Sequence, residues 1–329
     1  MKLKNASTPV SNAMLAKADK VNKLKQKKPS TSNSSLIKRI IRYKYFYMMF
    51  LPVLLTSLLF YYMPMYGIKY AFTKYGPFAP PKYIGLDNFV TLFKNHNFLS
   101  AFRNTITLSL LNLSIGMIVT IIIALLLNEL KNKFCKSFVQ TLLYLPHFLS
   151  WVIVASIFTI ILSPQDGFIN QILVELGYEP FYFLISEKWW APIFLFIARW
   201  KDTGWGTIIY LAALSGINPE LYEAAAMDGA NRLKQVFHVT LPGIMNTILV
   251  VFILDLSKVL NLFDSVFNLM NPLVYNVSDT VQTYTFRVMS QQSDYGYATA
   301  VGLFKSVVVL VLVLTANQIS KKIKGSSIL

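Results

Sequence analysis

The residues with chemical capacity in this chain are charges set inside long apolar runs. Arg199, Lys201 and Asp202, with Trp200 and Trp205 beside them, interrupt the apolar run of about 190–214. Asp255, Lys258 and Asp264 fall within 244–269, and Lys305 within 298–319. A charge at the centre of an apolar helix costs about 2.5–3.5 kcal/mol on insertion scales, so it faces a partner or a water-filled path. Arg199 with Asp202, and Asp255 with Lys258, are spaced to pair on one helix face. Two roles fit this set equally: ion pairs that lock helices together, or the polar lining of a solute path. Four cations (Arg199, Lys201, Lys258, Lys305) against three carboxylates leave one positive charge unmatched. A ligand carboxylate can bond to it with charge assistance, and the planar fork of Arg199 suits that role best.

Other chemistry is excluded by what the chain lacks. The single Cys135 allows no internal disulfide, and His96, His147 and His238 are scattered without metal-ligand spacing. There is no phosphate-binding Gly-rich loop ending in Gly-Lys-[Ser/Thr], no His-Glu-x-x-His and no Gly-x-Ser-x-Gly. The sequence therefore predicts no catalytic residue, no metal and no cofactor of its own. If ATP drives this protein, another chain must bind it.

The elements that position the charges are read from the apolar runs. Hydrophobic residues make up 54% of the chain. Six runs near membrane-spanning length lie at about 45–65, 105–128, 138–162, 190–214, 244–269 and 298–319. This predicts an all-α membrane protein with six transmembrane helices. Pro146 predicts a kink in the third, and His147 beside it reads as a polar group bonded within the bundle. Gly204 and Gly206 predict a broken fourth helix, tolerated where it faces protein or water. Val281, Tyr284 and Val288 are spaced as one face of an amphipathic helix in the connection before the last span.

Charge sets the orientation. Of a net charge of +16, residues 1–44 hold twelve Lys or Arg against Asp19 alone. Rich in Ser, Thr and Asn, this segment reads as a largely disordered cytoplasmic tail drawn to anionic membrane lipids rather than to nucleic acid. Lys131, Lys133 and Lys136, and Lys321, Lys322 and Lys324, mark further inside segments by the positive-inside rule. Both termini and the connection around 218–242 then face the cytoplasm. The organisation is a tail at 1–44, a first helix and external connection at 45–104, a five-helix core at 105–320 and a short tail at 321–329. One segment resists: the external connection carries Lys69, Lys74, Lys82, Lys94 and Arg103 against Asp87.

The second informative stretch is the polar island 218–242. Asn218 can cap a helix that Pro219 opens, and Gly229 offers a break. A second short helix is predicted from Asn231 to about Thr240, stopped by Pro242. Glu223, Ala224, Ala225, Asp228, Gly229, Leu241 and Pro242 stand at the spacing of the EAA loop. The stretch resembles that loop in the permeases of ABC importers, with Val239 where the family usually has Ile. The Ala226-Met227-Asp228-Gly229-Ala230 run, Tyr83–Phe89, Phe102–Thr105 and Asp294–Ala298 resemble the oligosaccharide branch, so the likeness runs from about Phe50 to the C-terminus.

That resemblance implies a type I importer bundle in the cell membrane, with the first helix outside a five-helix core. It implies a cytosolic dimer of ABC ATPases that binds ATP and Mg and docks the loop. It further implies a second homologous permease, an extracellular substrate-binding lipoprotein and an oligosaccharide substrate, a uronate-containing or plant-wall or algal polysaccharide fragment, as for similar lipoprotein-dependent permeases of Gram-positive bacteria. Two other classes, a secondary transporter for a polar solute and a membrane-embedded enzyme, also use buried charges. The first needs no docking loop, and the second needs a convergent acid, base or metal set that the sequence does not offer.

Overall fold

The computed structural model describes residues 41–324, so most of the basic tail and residues 325–329 lie outside the described residues. The chain divides into two units at Tyr66/Gly67. In the first, helix α1 (Lys44–Ser57) continues through a π turn at Leu58–Tyr62 to Met65, and none of its residues is buried. Its sequence is apolar all round, as a helix facing only apolar surroundings is.

The second unit opens with a hairpin, β1 (Thr73–Gly76) and β2 (Ala79–Tyr83), paired antiparallel. Helices α2 (Asp87–Lys94), α3 (His96–Glu129), α4 (Lys133–Tyr144), α5 (Trp151–Ile161) and α6 (Phe168–Glu175) follow. Then come α7 (Glu187–Leu214), α8 (Pro219–Met227), α9 (Arg232–Gln235), α10 (Leu241–Ser257), α11 (Phe263–Leu269), α12 (Tyr275–Ser278), α13 (Val281–Arg287) and α14 (Tyr295–Lys324). Asparagine sets many of the starts. Asn95, Asn132, Asn218 and Asn231 each accept a backbone N–H of the first turn through Oδ1, opening α3, α4, α8 and α9.

Among the described residues, four helices are long and apolar enough to cross a membrane: Lys44–Phe72, His96–Glu129, Arg232–Ser257 and Tyr295–Gln318. The bent pair α4–α5 makes a fifth if counted as one span. α7 is as long, but Arg199, Lys201 and Asp202 at its middle set it apart from those apolar helices.

Three predicted elements change. The third run does not merely kink. A tight turn at Leu145–Phe148 carries Pro146, and the two halves meet at 103°. The fourth helix is not broken: α7 runs unbroken for 28 residues. Its glycines serve close packing instead. A Cβ at Gly204 would lie 1.9 Å from Leu143 O, and one at Gly206 would lie 2.9 Å from Thr120 Cγ2. The fifth run ends at Ser257, and a turn separates it from α11.

The core forms where α7 packs on α3. Trp190, Phe194 and Ile197 of α7 bury against Leu108, Val154 and Val266, and Trp190 Nε1 donates to Leu269 O at 3.1 Å. Nearer the other end, Tyr210 and Leu214 pack on Ala124, Ile244 and Ile248. The expected amphipathic helix is α13 with the π turn Val288–Gln292 that continues it, and Val281, Tyr284 and Val288 bury against Phe98 and Ala101. Its turn is fixed by a buried network. Asp279 accepts from Thr283 Oγ1 at 2.7 Å and pairs with Arg287, whose guanidinium lies 4.5 Å from the Tyr275 ring centre.

Candidate functional site

α3 and α7 enclose, with the end of α10, a polar cavity of about 490 Å³. Asn112, Gly116 and Thr120 line it from α3, and Arg199, Asp202 and Trp205 from α7. His147, Asp255 and Lys258 complete the charged and polar wall. Gly116 makes the slot for Arg199, since a Cβ there would lie 1.9 Å from Arg199 Nη1. The guanidinium donates through Nη2 to Asn112 Oδ1 at 2.6 Å. Arg199 Nε is buried without a hydrogen-bond partner among the described residues, and so are Ser109 Oγ and Tyr210 Oη of the same wall. Unmet buried polar atoms cost about 1–3 kcal/mol each, so this wall has hydrogen-bonding capacity to give a ligand or water.

The pairs expected from spacing do not form. Asp202 meets His147 Nδ1 at 3.3 Å, and no ion pair joins Arg199 to Asp202 or Asp255 to Lys258 among the described residues. Residues three apart share a helix face, but the slot at Gly116 draws Arg199 to α3 while the bend after α4 brings His147 to Asp202. The His147 ring stacks on Trp205 at 4.8 Å and 7°, which leaves the indole half-exposed on the cavity wall.

Lys201 is buried behind this wall. Its Nζ donates to His147 O at 2.8 Å and lies 5.7 Å from the Trp151 ring centre. Lys305 Nζ donates to Asn261 Oδ1 at 2.9 Å, and Asn261 lines the cavity. Three of the residues expected on the path, Lys305, Trp200 and Asp264, do not line the cavity. Trp200 packs edge-on against Phe158 at 5.4 Å on the far side of α7, and Asp264 is exposed in the first turn of α11.

The polar island forms a separate feature. Asn218 Oδ1 accepts from Glu220 N at 3.1 Å and starts α8 at Pro219. Gly229 ends it with φ 76°. Gly229 N bonds to Ala226 O at 3.0 Å and Ala230 N to Ala225 O at 2.9 Å, the paired bonds of a left-handed helix stop. Glu223, Ala224 and Asp228 are exposed, as are Leu221, Met227, Leu233 and Phe237. Pro242 does not stop the second helix as expected. The chain is helical from Arg232 to Ser257, and a π turn at Val236–Thr240 widens the coil just before Leu241 and Pro242. A wider turn moves the preceding carbonyls off the proline ring, so the missing proline N–H leaves the helix path intact. Tyr222 Oη, 3.1 Å from Thr240 Oγ1, ties α8 to that turn.

Island and hairpin sit at opposite ends of α3. Glu129 at its end lies 3.4 Å from Arg232, whereas Asn88, two turns before its start, holds the base of the hairpin. The helix between them has 34 residues, about 51 Å.

Residues 113–325 match the family model described as "binding-protein-dependent transport system inner membrane component", a stretch that contains most of the cavity wall and the whole island. The chain belongs to that family. This permease is 42% identical to the polygalacturonan/rhamnogalacturonan transport system permease protein YteP of Bacillus subtilis (strain 168), over 98% of each chain. It is also 42% identical to protein LplB of the same organism, over 85% of this chain and 90% of that one. Among solved structures it is similar to a chain of a bacterial ABC transporter involved in the import of the acidic polysaccharide alginate. The identity is 41% and the TM-score 0.82, over 88% of this chain and 99% of that one. A second structure of similar fit shows a bacterial alginate ABC transporter in complex with alginate pentasaccharide-bound periplasmic protein. The permease is therefore an inner membrane component of a transport system, and its relatives are named for transport rather than catalysis.

Sequence reasoning brought Arg199, Asp202, Trp205, Asp255 and Lys258 to the permease's cavity. It missed Asn112, Tyr210 and Asn261. Asn112 and Asn261 are amides in apolar surroundings, a signal present in the sequence. Tyr210 carries no such mark, because a tyrosine in an apolar run usually buries its ring for packing alone.

Proposed function

We propose that this chain is one permease subunit of an ATP-driven importer that moves an acidic oligosaccharide into the cytoplasm by alternating access. Six spans cross the membrane, with α4–α5 and α7 among them, and both termini lie inside. The island 218–242 then faces the cytoplasm, where α8 presents Glu223, Ala224, Ala225 and Asp228 to a groove on the ATPase dimer. Leu241 and Pro242 carry the movement into α10, because the helix is continuous from Arg232 to Ser257. ATP and Mg belong to the ATPase chains. A second, homologous permease closes the path, and a substrate-binding lipoprotein delivers the sugar from outside.

Arg199 carries the substrate reading. Its guanidinium is held in a slot beside α3, has one amide partner, and keeps a buried Nε unbonded on the wall of a polar cavity. Asp202 and Asp255 balance Arg199 and Lys258 on that wall. Lys201 and Lys305 stand behind it with no carboxylate in ion-pair reach among the described residues, so the surroundings of the cavity carry surplus positive charge. Away from bulk water such a surplus favours an anion strongly. Trp205 offers the indole face on which a sugar ring stacks. The acidic polysaccharides named for the relatives have this chemistry.

The test is uptake of matched neutral and uronate-containing oligosaccharides by the reconstituted importer with wild type and Arg199→Gln. A selective loss of uronate uptake, roughly tenfold or more for one charge-assisted contact, is the expected outcome. Equal loss for both sugars makes Arg199 a structural residue, and no loss for either removes it from the path.

A further inference from the structure

Two of the cations that the positive-inside rule leaves unexplained lie on the hairpin. Lys74 and Lys82 are direct cross-strand partners and both are exposed. Like charges facing each other on a two-stranded ribbon destabilise it. Neither has a carboxylate within ion-pair distance among the described residues, and Lys94 and Arg103 add two more exposed cations without one.

The hairpin is nevertheless rigidly mounted. Asn88 Nδ2 donates to Ala71 O at 2.9 Å and Thr73 O at 3.0 Å. Gly296 at the start of α14 lets that backbone approach so closely that a Cβ would lie 2.1 Å from Thr73 O. Tyr75 stacks on Tyr70 at 4.6 Å and leans on Tyr295 at 5.7 Å. Two aromatic rings of the hairpin remain open: Phe78 at the tip, 97% exposed, and Tyr83, 76% exposed, on the face opposite the lysine pair. Pro80 and Pro81 remove two N–H donors from β2, so the ribbon is a poor template for an added strand, and recognition falls to its side chains.

A paired set of cations with an open aromatic ring at the ribbon tip fits a chain of uronate sugars, whose carboxylates pair with the former while a sugar face stacks on the latter. The hairpin also leads to the cavity. α14 starts against its base and carries Lys305 about 15 Å further along, where Lys305 bonds to Asn261 of the cavity wall. We propose that the hairpin is an outer subsite that holds an anionic oligosaccharide through Lys74 and Lys82 and passes it along Lys305 to Arg199 and Lys258. The subsite rests on the outward orientation and acidic substrate proposed above.

The experiment uses the full-length permease in nanodiscs of neutral phosphatidylcholine, with oligogalacturonate and a neutral cello-oligosaccharide of equal length as probes. Wild type is expected to bind oligogalacturonate, more weakly as salt rises. Lys74→Gln/Lys82→Gln is expected to lose roughly tenfold in that affinity while binding of the neutral sugar is unmoved, and Lys74→Arg/Lys82→Arg is expected to keep it. Unchanged binding by the Gln variant overturns the subsite. So does a loss shared by the neutral sugar, an effect seen only with anionic lipid in the disc, or one seen only after a binding protein is added. Uptake by the assembled importer separates the two proposals. Wild type that does not import oligogalacturonate overturns the substrate reading. Import by the Gln variant with an unchanged KM at low salt overturns the hairpin subsite alone.

Discussion

Replacing Gly229 by valine isolates the backbone geometry of the loop. Gly229 holds φ 76°, and a Cβ built there meets nothing within 4 Å. The substitution therefore costs no packing inside the chain, and its whole effect within the subunit is conformational. A non-glycine residue in the left-handed region costs about 1–2 kcal/mol, with a branched Cβ at the upper end. At 1.4 kcal/mol per tenfold, the loop would hold its docking shape roughly 5- to 30-fold less often. Apparent affinity for the ATPase falls in the same proportion, because only that shape binds. Asparagine adopts this region readily, so Gly229→Asn is expected to cost about twofold or less. The assay is substrate-stimulated ATP hydrolysis and uptake in the reconstituted complex, with membrane insertion as control. A valine variant that couples as wild type would refute the idea that this turn positions α8 for its partner. Equal failure of valine and asparagine would place the cause in side-chain volume against the partner rather than in backbone strain.

Gly204→Ala is expected to force α7 from the end of α4, since its Cβ would lie 1.9 Å from Leu143 O, an atom that cannot rotate away. Overpacking of this kind costs about 1–3 kcal/mol, and a lowered unfolding temperature in detergent, with no loss for Gly302→Ala as a helical control whose Cβ meets nothing within 4 Å, would show it. Arg287→Met leaves Asp279 buried without its cation and is expected to destabilise by about 3–5 kcal/mol. Arg287→Met/Asp279→Asn should recover much of that loss in the same melting assay, and a double variant as unstable as the single one would show that the pair is not what Arg287 contributes.

The sequence by itself determined the membrane class, the helix-stop-helix form of the island and which charges lie inside apolar runs. These are local matters: hydropathy over about 20 residues, an Asn-Pro helix start, a Gly at a left-handed stop. Even the amphipathic α13 was legible, because Val281, Tyr284 and Val288 repeat at the helical period. Tertiary structure decided the rest. Spacing put Arg199 and Asp202 on one face, but a missing Cβ at Gly116 on α3 and the 103° bend after α4 gave them different partners. Gly204 and Gly206 looked like a break in a helix and proved to be contact points between helices, because absence of a side chain permits either and only a neighbour's position selects one. Pro242 looked like a stop, yet the π turn before it, held through Thr240 by Tyr222, kept the helix continuous. In each case the residue type set what the backbone could do, and the packing of elements distant in sequence chose among the options.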